Sequence, residues 1–325
     1  MRPNSPCSRH ILPTVLVMGL LMSTGCRLVT NSRIGMQVKV SKYFDEEGRT
    51  YPKLDDNIFK MKMRLSGVLT PQKFVKEIGI WVFLLEPHDP GKTPILFLHG
   101  HWTGPPVFRE MLESIDTDKY EPWLVFYPSG LDIRETTRFL QLNLARLSKY
   151  YNQDEIYIIA YSMGGVLARE TIVSMKPAFE MPRIPLFIGI ANPWGGSIPT
   201  TAGANVAITA NPDSNFSYGA EAWKQVHNTA PFVKHMFDRK MPKETEFHMI
   251  YSVGGEDPDL PGRDDGMLHE GSLGRPEALA EAKSVTIFEK PTHASIISHY
   301  LAIQRTLEIL ADFEARKQQS SPQPP

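Results

Sequence analysis

An α/β fold with a mostly parallel central sheet and helices on both faces is predicted by three observations. Short apolar runs and amphipathic stretches alternate from about residue 78 to about residue 313, the pattern of repeated strand–helix–strand units. The segment EIYIIAYSMGG, residues 155–165, passes from an apolar β-branched run through a serine into a glycine-opened stretch. The length of 325 residues, 42% of them hydrophobic, suits one large domain with an ample core.

The elements follow in order. Residues 1–25 read as an export signal: Arg2, Arg9 and His10 give a basic start, and Ile11 to Met22 is an apolar run too short to span a membrane comfortably. Residues 26–60 are polar and without period, and are read as a tether. One α/β domain is expected over 61–315. Ile78 to Leu85 reads as a buried strand, Glu86 to Thr93 as a turn, and Pro94 to Leu98 as a second strand ending in His99-Gly100. Trp123 to Tyr127 is a third strand. Over 131–150, Ile133, Leu140, Leu144 and Leu147 share a helical face, with Ser129 as the expected cap. Glu155 to Ala160 is a strand and 164–175 a helix. Leu186 to Ile190, Phe247 to Val253 and Val285 to Phe288 complete the strands. The last helix carries Ile296, Tyr300, Ile303, Leu307 and Leu310 on one stripe, and 316–325, with three prolines, is expected to be a disordered tail. Residues 197–245 interrupt the rhythm with Trp223, Phe232, Met236 and Phe237 among polar residues, and are read as a cap insertion.

Charge and cysteine content narrow the function. A formal net charge of −1 offers no electrostatic pull on nucleic acid. The two cysteines, Cys7 and Cys26, both lie near the N terminus. Cleavage before Cys26 would leave the mature chain with no second thiol, so Cys26 has no disulfide to explain it. Acidic residues Glu256, Asp257, Asp259, Asp264 and Asp265 lack the spacing of a calcium loop and are read as a solvated loop. His99 and His101 lack a third ligand, so no metal and no cofactor is expected.

The chemistry-bearing residues cluster where strands end. Ser162 sits at a strand–helix corner with Gly164 and Gly165 behind it, and small neighbours are what so tight a corner demands. Ala160 stands where the G-x-S-x-G pattern has its first glycine. A serine nucleophile needs a base, the base an orienting carboxylate, and the tetrahedral oxyanion preorganised N–H donors. Met163 supplies one backbone N–H. The loop His99-Gly100-His101-Trp102-Thr103-Gly104 supplies the other, from His101, with Trp102 as the alternative. The expected base is His293, between the last strand and the final helix; His269 and His299 compete. The expected acid is Asp265, with Asp264 and Asp257 as alternatives. Trp102, Trp194 and Trp223 are candidate substrate contacts.

The order Ser162, Asp265, His293 resembles that of the α/β-hydrolases, closest to their lipase and esterase branch. His99-Gly100 resembles the oxyanion loop of that branch, and Asp265-Gly266-Met267 its Asp-Gly-hydrophobic string. Ile190-Ala191-Asn192-Pro193-Trp194-Gly195-Gly196-Ser197 is similar to a strand-end segment of lipases and of lecithin–cholesterol acyltransferase-like enzymes; Asn192 departs from it, since a small residue is more usual there. The resemblance implies a serine esterase acting on small or lipid-like carboxylic esters. An acyltransferase with the same triad, or a non-catalytic binding module on the same fold, are the rival expectations. Ser23-Thr24-Gly25-Cys26 resembles a bacterial lipoprotein cleavage site with Ser23 in place of the usual Leu, which implies acylation of Cys26 and a membrane-anchored envelope protein. Arg27, rather than Asp, favours the outer membrane.

Overall fold

In the computed structural model of the chain, the described residues are 51–175, 180–197, 221–256, 260 and 262–320. Seven strands form one sheet: β1 Trp81–Leu84, β2 Thr93–Leu98, β3 Tyr120–Phe126, β4 Glu155–Tyr161, β5 Arg183–Ile190, β6 Glu246–Ser252 and β7 Ser284–Phe288. Their spatial order is β1-β3-β2-β4-β5-β6-β7. Only β1 runs antiparallel to its neighbour; the other pairs are parallel. Among the described residues the helices are α1 Met61–Leu69, α2 Pro71–Glu77, α3 Arg109–Ser114, α4 Ile133–Tyr151, α5 Met163–Val173, α6 Glu221–Gln225, α7 Pro231–Lys234, α8 Glu270–Leu273, α9 Pro276–Glu281, α10 His293–Ile296 and α11 Tyr300–Ser320.

All of β4 is buried, from Glu155 to Tyr161. Successive strand residues face opposite sides, so both faces of the sheet are covered at β4, while the edge strand β7 leaves Val285 and Ile287 exposed. Register sets the site: Leu98 pairs with Ala160, Tyr161 with Ile190, Ile190 with Ile250, and Ser252 with Phe288. The loops that leave these carboxyl ends therefore open on one edge, where ligands gather in open α/β sheets.

Several boundaries differ from the sequence expectations. The body begins before residue 61: Phe59 is 1% exposed and packs edge-on against Phe83 and Phe126 at 5.5 and 5.4 Å. Ile78 and Gly79 end α2 instead of opening a strand, with Gly79 at φ 91°. The cap of α4 is Asp132, whose carboxylate accepts the Glu135 N–H, and Ser129 lies beyond it. Tyr300 is 68% exposed because a turn at 297–299 separates α10 from α11 and breaks the phase of the expected stripe. The buried stripe of α11 is instead Ala302, Ile303, Thr306, Ile309, Leu310 and Phe313. That helix runs on to Ser320, so the expected tail loses residues 316–320; 321–325 lie outside the described residues. So do residues 1–50, with Cys26, and 198–220 of the expected cap.

The described part of that insertion is well anchored. Gln225 accepts from the Ile133 N–H and donates to the Asp132 carboxylate, tying α6 to the start of α4. Phe232, Met236 and Phe237 are buried. Phe237 lies under the guanidinium of Arg169, 4.1 Å from its ring centre, and Arg169 is itself fully buried and ion-paired with Glu281 at 2.8 Å.

Candidate active site

Ser162 joins β4 to α5 with φ 53° and ψ −128°, a backbone region that costs a non-glycine residue about 1–3 kcal/mol. Its N–H donates to the Ile190 carbonyl at 2.8 Å, so the neighbouring strand end holds the corner in place. Gly164 is required by close approach: a Cβ there would lie 2.2 Å from the Leu98 carbonyl oxygen and 2.6 Å from that of His99. Ala160, in the place of the motif's first glycine, pairs with Gly189 and is fully buried.

Three of the predicted residues come together. The Ser162 Oγ lies 2.9 Å from His293 Nε2, and His293 Nδ1 lies 2.7 Å from Asp265 Oδ2. All three are buried, Asp265 completely. The other carboxylate oxygen of Asp265 accepts the N–H groups of Met267 and Leu268 at 3.0 and 2.7 Å. One oxygen is thus fixed by its own loop while the other faces the imidazole. With Nδ1 donating to the carboxylate, Nε2 is left as the acceptor for the serine hydroxyl. The loop can close on its neighbour because residue 255 is glycine: a Cβ there would sit 1.8 Å from the Gly266 nitrogen.

The competing residues have other occupations. Asp264 accepts the Gly266 N–H at 2.6 Å. His269 caps α8 through its Nδ1, which accepts the Gly271 N–H at 2.9 Å. His299 lies in the turn before α11, near the rings of Phe288 and Tyr300. Asp257 lies outside the described residues.

Two N–H groups have no acceptor among the described residues, that of Met163 next to the serine and that of His101; the latter follows Gly100, where a Cβ would lie 2.9 Å from the Ser162 Cβ. Trp102, the alternative donor, gives its N–H to Ser129 Oγ in a long 3.3 Å bond. Trp102 also has φ 62°, unusual for so bulky a residue. The Ser129 carbonyl accepts from His101 Nδ1 at 2.9 Å, so Ser129 grips this loop at two consecutive residues. His101 retains part of its surface, but its ring is enclosed by those of Trp102 and Trp223, with centroids 5.5 and 5.3 Å away. Burial lowers its pKa to about 4 and that of the fully buried His99 to about 3, so both are neutral at pH 7. The His99 ring stacks on Tyr127, whose hydroxyl donates to the His99 carbonyl at 2.6 Å.

The three tryptophans divide. Trp102 and Trp223 are half-buried beside His101. Trp194 is 1% exposed and packs against Phe187, Phe237 and Phe247. Its indole offers no surface to a substrate, and we reassign it to the core.

Sequence reasoning missed the grip of Ser129, for which a helix cap was the competing use of a serine before an amphipathic stretch. It also missed Tyr161, whose hydroxyl donates to the His293 carbonyl at 2.8 Å. Tyr161 looks like the last apolar residue of a strand, and nothing in its neighbours signals a partner 132 residues away.

No family model and no curated protein matches the sequence. Solved structures do match the fold. The mature form of a lipase from Bacillus licheniformis superposes with a TM-score of 0.52 at 20% identity, covering 71% of this chain and 98% of that one. This chain has the α/β-hydrolase fold. Lipase B of Aspergillus fumigatus also superposes, with a TM-score of 0.51 at 12% identity over 71% of this chain; the match spans 56% of that longer protein. Within the hydrolase fold, the Ser162, His293 and Asp265 side chains occupy the loops after β4, β7 and β6. That arrangement can relay a proton from a hydroxyl to an imidazole while a buried carboxylate stabilises the resulting cation.

Proposed function

We propose that this chain is a serine hydrolase that cleaves carboxylic esters, with lipid-like esters as its substrate class. The observation that carries the reading is the unbroken run of hydrogen bonds from Asp265 through His293 to Ser162, set on a strained strand–helix corner. Strain of this kind is stored where function over-determines the backbone.

In this reading His293 Nε2 takes the hydroxyl proton as Ser162 Oγ attacks the acyl carbonyl. Asp265 keeps Nδ1 protonated and stabilises the imidazolium. The N–H groups of Met163 and His101 bind the oxyanion, as unpaired donors beside the serine are suited to do. The intermediate collapses, the alcohol leaves with the proton from His293, and an acyl-serine remains. Water then enters, His293 removes its proton, and hydrolysis frees the acid and the serine. Trp102 and Trp223 line the substrate path, Trp223 from the described part of the 197–245 insertion, the segment read as a cap. Lipid-like substrates are favoured by the lipase-like strand-end sequence at 190–197 and by the likeness of the fold to two lipases.

The proposal extends to the N terminus. Arg2, Arg9, the apolar run Ile11 to Met22 and the small residues before Cys26 support export, acylation of Cys26 and anchoring in the bacterial outer membrane. Mass spectrometry of the membrane-extracted protein tests this directly: a lipid-modified N-terminal Cys26 is expected, and a chain beginning elsewhere contradicts it.

The enzymatic reading is tested with a fluorophosphonate, which reacts with activated serines. A single adduct on the peptide bearing Ser162 is expected. A folded protein that takes no label overturns the reading.

A further inference from the structure

The residue after the β5 turn holds the serine corner from beneath. Asn192 is 2% exposed, and its amide nitrogen faces three carbonyl oxygens: Ser162 at 2.8 Å, Ala160 at 3.1 Å and Ile190 at 3.2 Å. These are the carbonyls of the corner residue, of the strand leading into it and of the strand end beside it. Two of them already have a backbone donor, Gly165 N–H for Ser162 and Ser162 N–H for Ile190. Asn192 is therefore not needed to satisfy them.

Its presence also carries a cost. The amide oxygen of Asn192 is buried without a hydrogen-bond partner among the described residues, a condition that disfavours folding because its desolvation is uncompensated. The nitrogen cannot be exchanged with the oxygen, since the three facing groups are all acceptors. The neighbouring glycines match the side chain. A Cβ on Gly165 would lie 2.2 Å from the Asn192 amide, and a Cβ on Gly189 would lie 2.2 Å from its oxygen. Two missing side chains, one on α5 and one on β5, make the room that Asn192 fills. A small residue there would avoid the orphaned oxygen and remove the closest contact that a Cβ at either glycine would meet. Local rules broken together, with no gain in satisfied polar groups, mark positions kept for function.

We infer that Asn192 is a positioning residue: its amide clamps the Ser162 carbonyl to the ends of β4 and β5 and so fixes the direction of the Ser162 hydroxyl toward His293. It touches no reacting atom. This rests on the proposed role of Ser162 and adds to it a residue outside the triad and the oxyanion donors.

The experiment separates clamp from filler. Asn192→Ala removes the donor and leaves a gap. Asn192→Ala with Gly165→Ala refills part of that gap with a methyl group, because the three nearest atoms around a Cβ at 165 are all from the Asn192 amide. The readouts are melting temperature, inhibitor binding constant and the rate constant of Ser162 phosphonylation by a fluorophosphonate. The expected result is phosphonylation slowed on the order of 10- to 100-fold in both variants. The binding constant should stay unchanged, and the double variant should recover melting temperature but not rate. Recovery of the rate together with stability makes Asn192 a filler and overturns the inference. A chain that folds in neither form makes it a core residue and overturns it as well. Wild type that takes no label at Ser162 overturns the parent reading instead, and is recognised before any variant is compared.

Discussion

Asp265 holds His293 at two points: its carbonyl accepts the His293 N–H at 2.5 Å, and its carboxylate faces Nδ1 at 2.7 Å. The main-chain tie fixes where the base sits and the side-chain tie fixes which tautomer it adopts. The two can be separated by mutation. Asp265→Asn keeps the first and reverses the hydrogen-bond demand of the second. Turnover of an ester should fall by roughly 10⁴-fold with the melting temperature nearly unchanged. Asp264→Asn should cost less than about tenfold, since one carboxylate oxygen of Asp264 accepts the Gly266 N–H at 2.6 Å, whereas His293 Nδ1 is met by Asp265. Steady-state kinetics on the two variants decide between the adjacent aspartates.

Ser129→Ala should separate the proposed oxyanion loop from the proposed triad. The substitution removes the acceptor of the Trp102 N–H and keeps the carbonyl that receives His101 Nδ1. Trp102 then loses one restraint on its left-handed backbone. We expect kcat to fall about tenfold with little change in KM, a loss of transition-state stabilisation alone. An unchanged kcat would show that Ser129 does not shape the donor.

Trp194 gives a contrast between core and site. Trp194→Ala should cost about 3–5 kcal/mol of stability, the range for a large buried aromatic, measured by denaturant unfolding. KM for a short ester should not move at a temperature where the variant stays folded. Trp223→Ala should do the reverse: a small change in stability and a raised KM, because the ring is half-buried beside His101.

Acid should destabilise the fold before it protonates the carboxylates. His99 is lowered to about 3, and His101 and His248 to about 4, all by burial. The unfolded chain binds protons at these positions near pH 6.5 while the folded chain does not. Stability is therefore full above about pH 6.5 and is lost progressively as pH falls toward about 4. The melting temperature at pH 5 should lie below that at pH 7, and His248→Gln should narrow the difference. Equal melting temperatures at the two pH values would contradict the burial of these rings.

Much of the fold was legible because its central strands are buried on both faces and so read as continuous apolar runs. Ile156 to Ile159 is such a run, and the serine corner follows it directly. That Ser162, His293 and Asp265 meet was legible through chain order, since each candidate follows a strand. What the sequence hid is of three kinds. Partners distant in the chain, such as Tyr161 and His293, leave no local trace. Side chains with two plausible uses, such as Ser129, were given the local one. Trp194 looked like a site residue because it follows a strand end, yet the chain turns back there at Ala191, φ 51°, and carries the indole into the core. The helices α1 and α2 went unread for lack of a long apolar stripe, and the tail helix for its prolines, which all lie beyond Ser320.

The central claim is that Ser162 performs the chemistry. Its most direct test is hydrolysis of p-nitrophenyl esters, from acetate to palmitate, by wild type and Ser162→Ala side by side. Turnover by the wild type on at least one chain length is predicted, with loss of that turnover in a variant whose melting temperature is unchanged. Turnover that survives in Ser162→Ala would contradict the account.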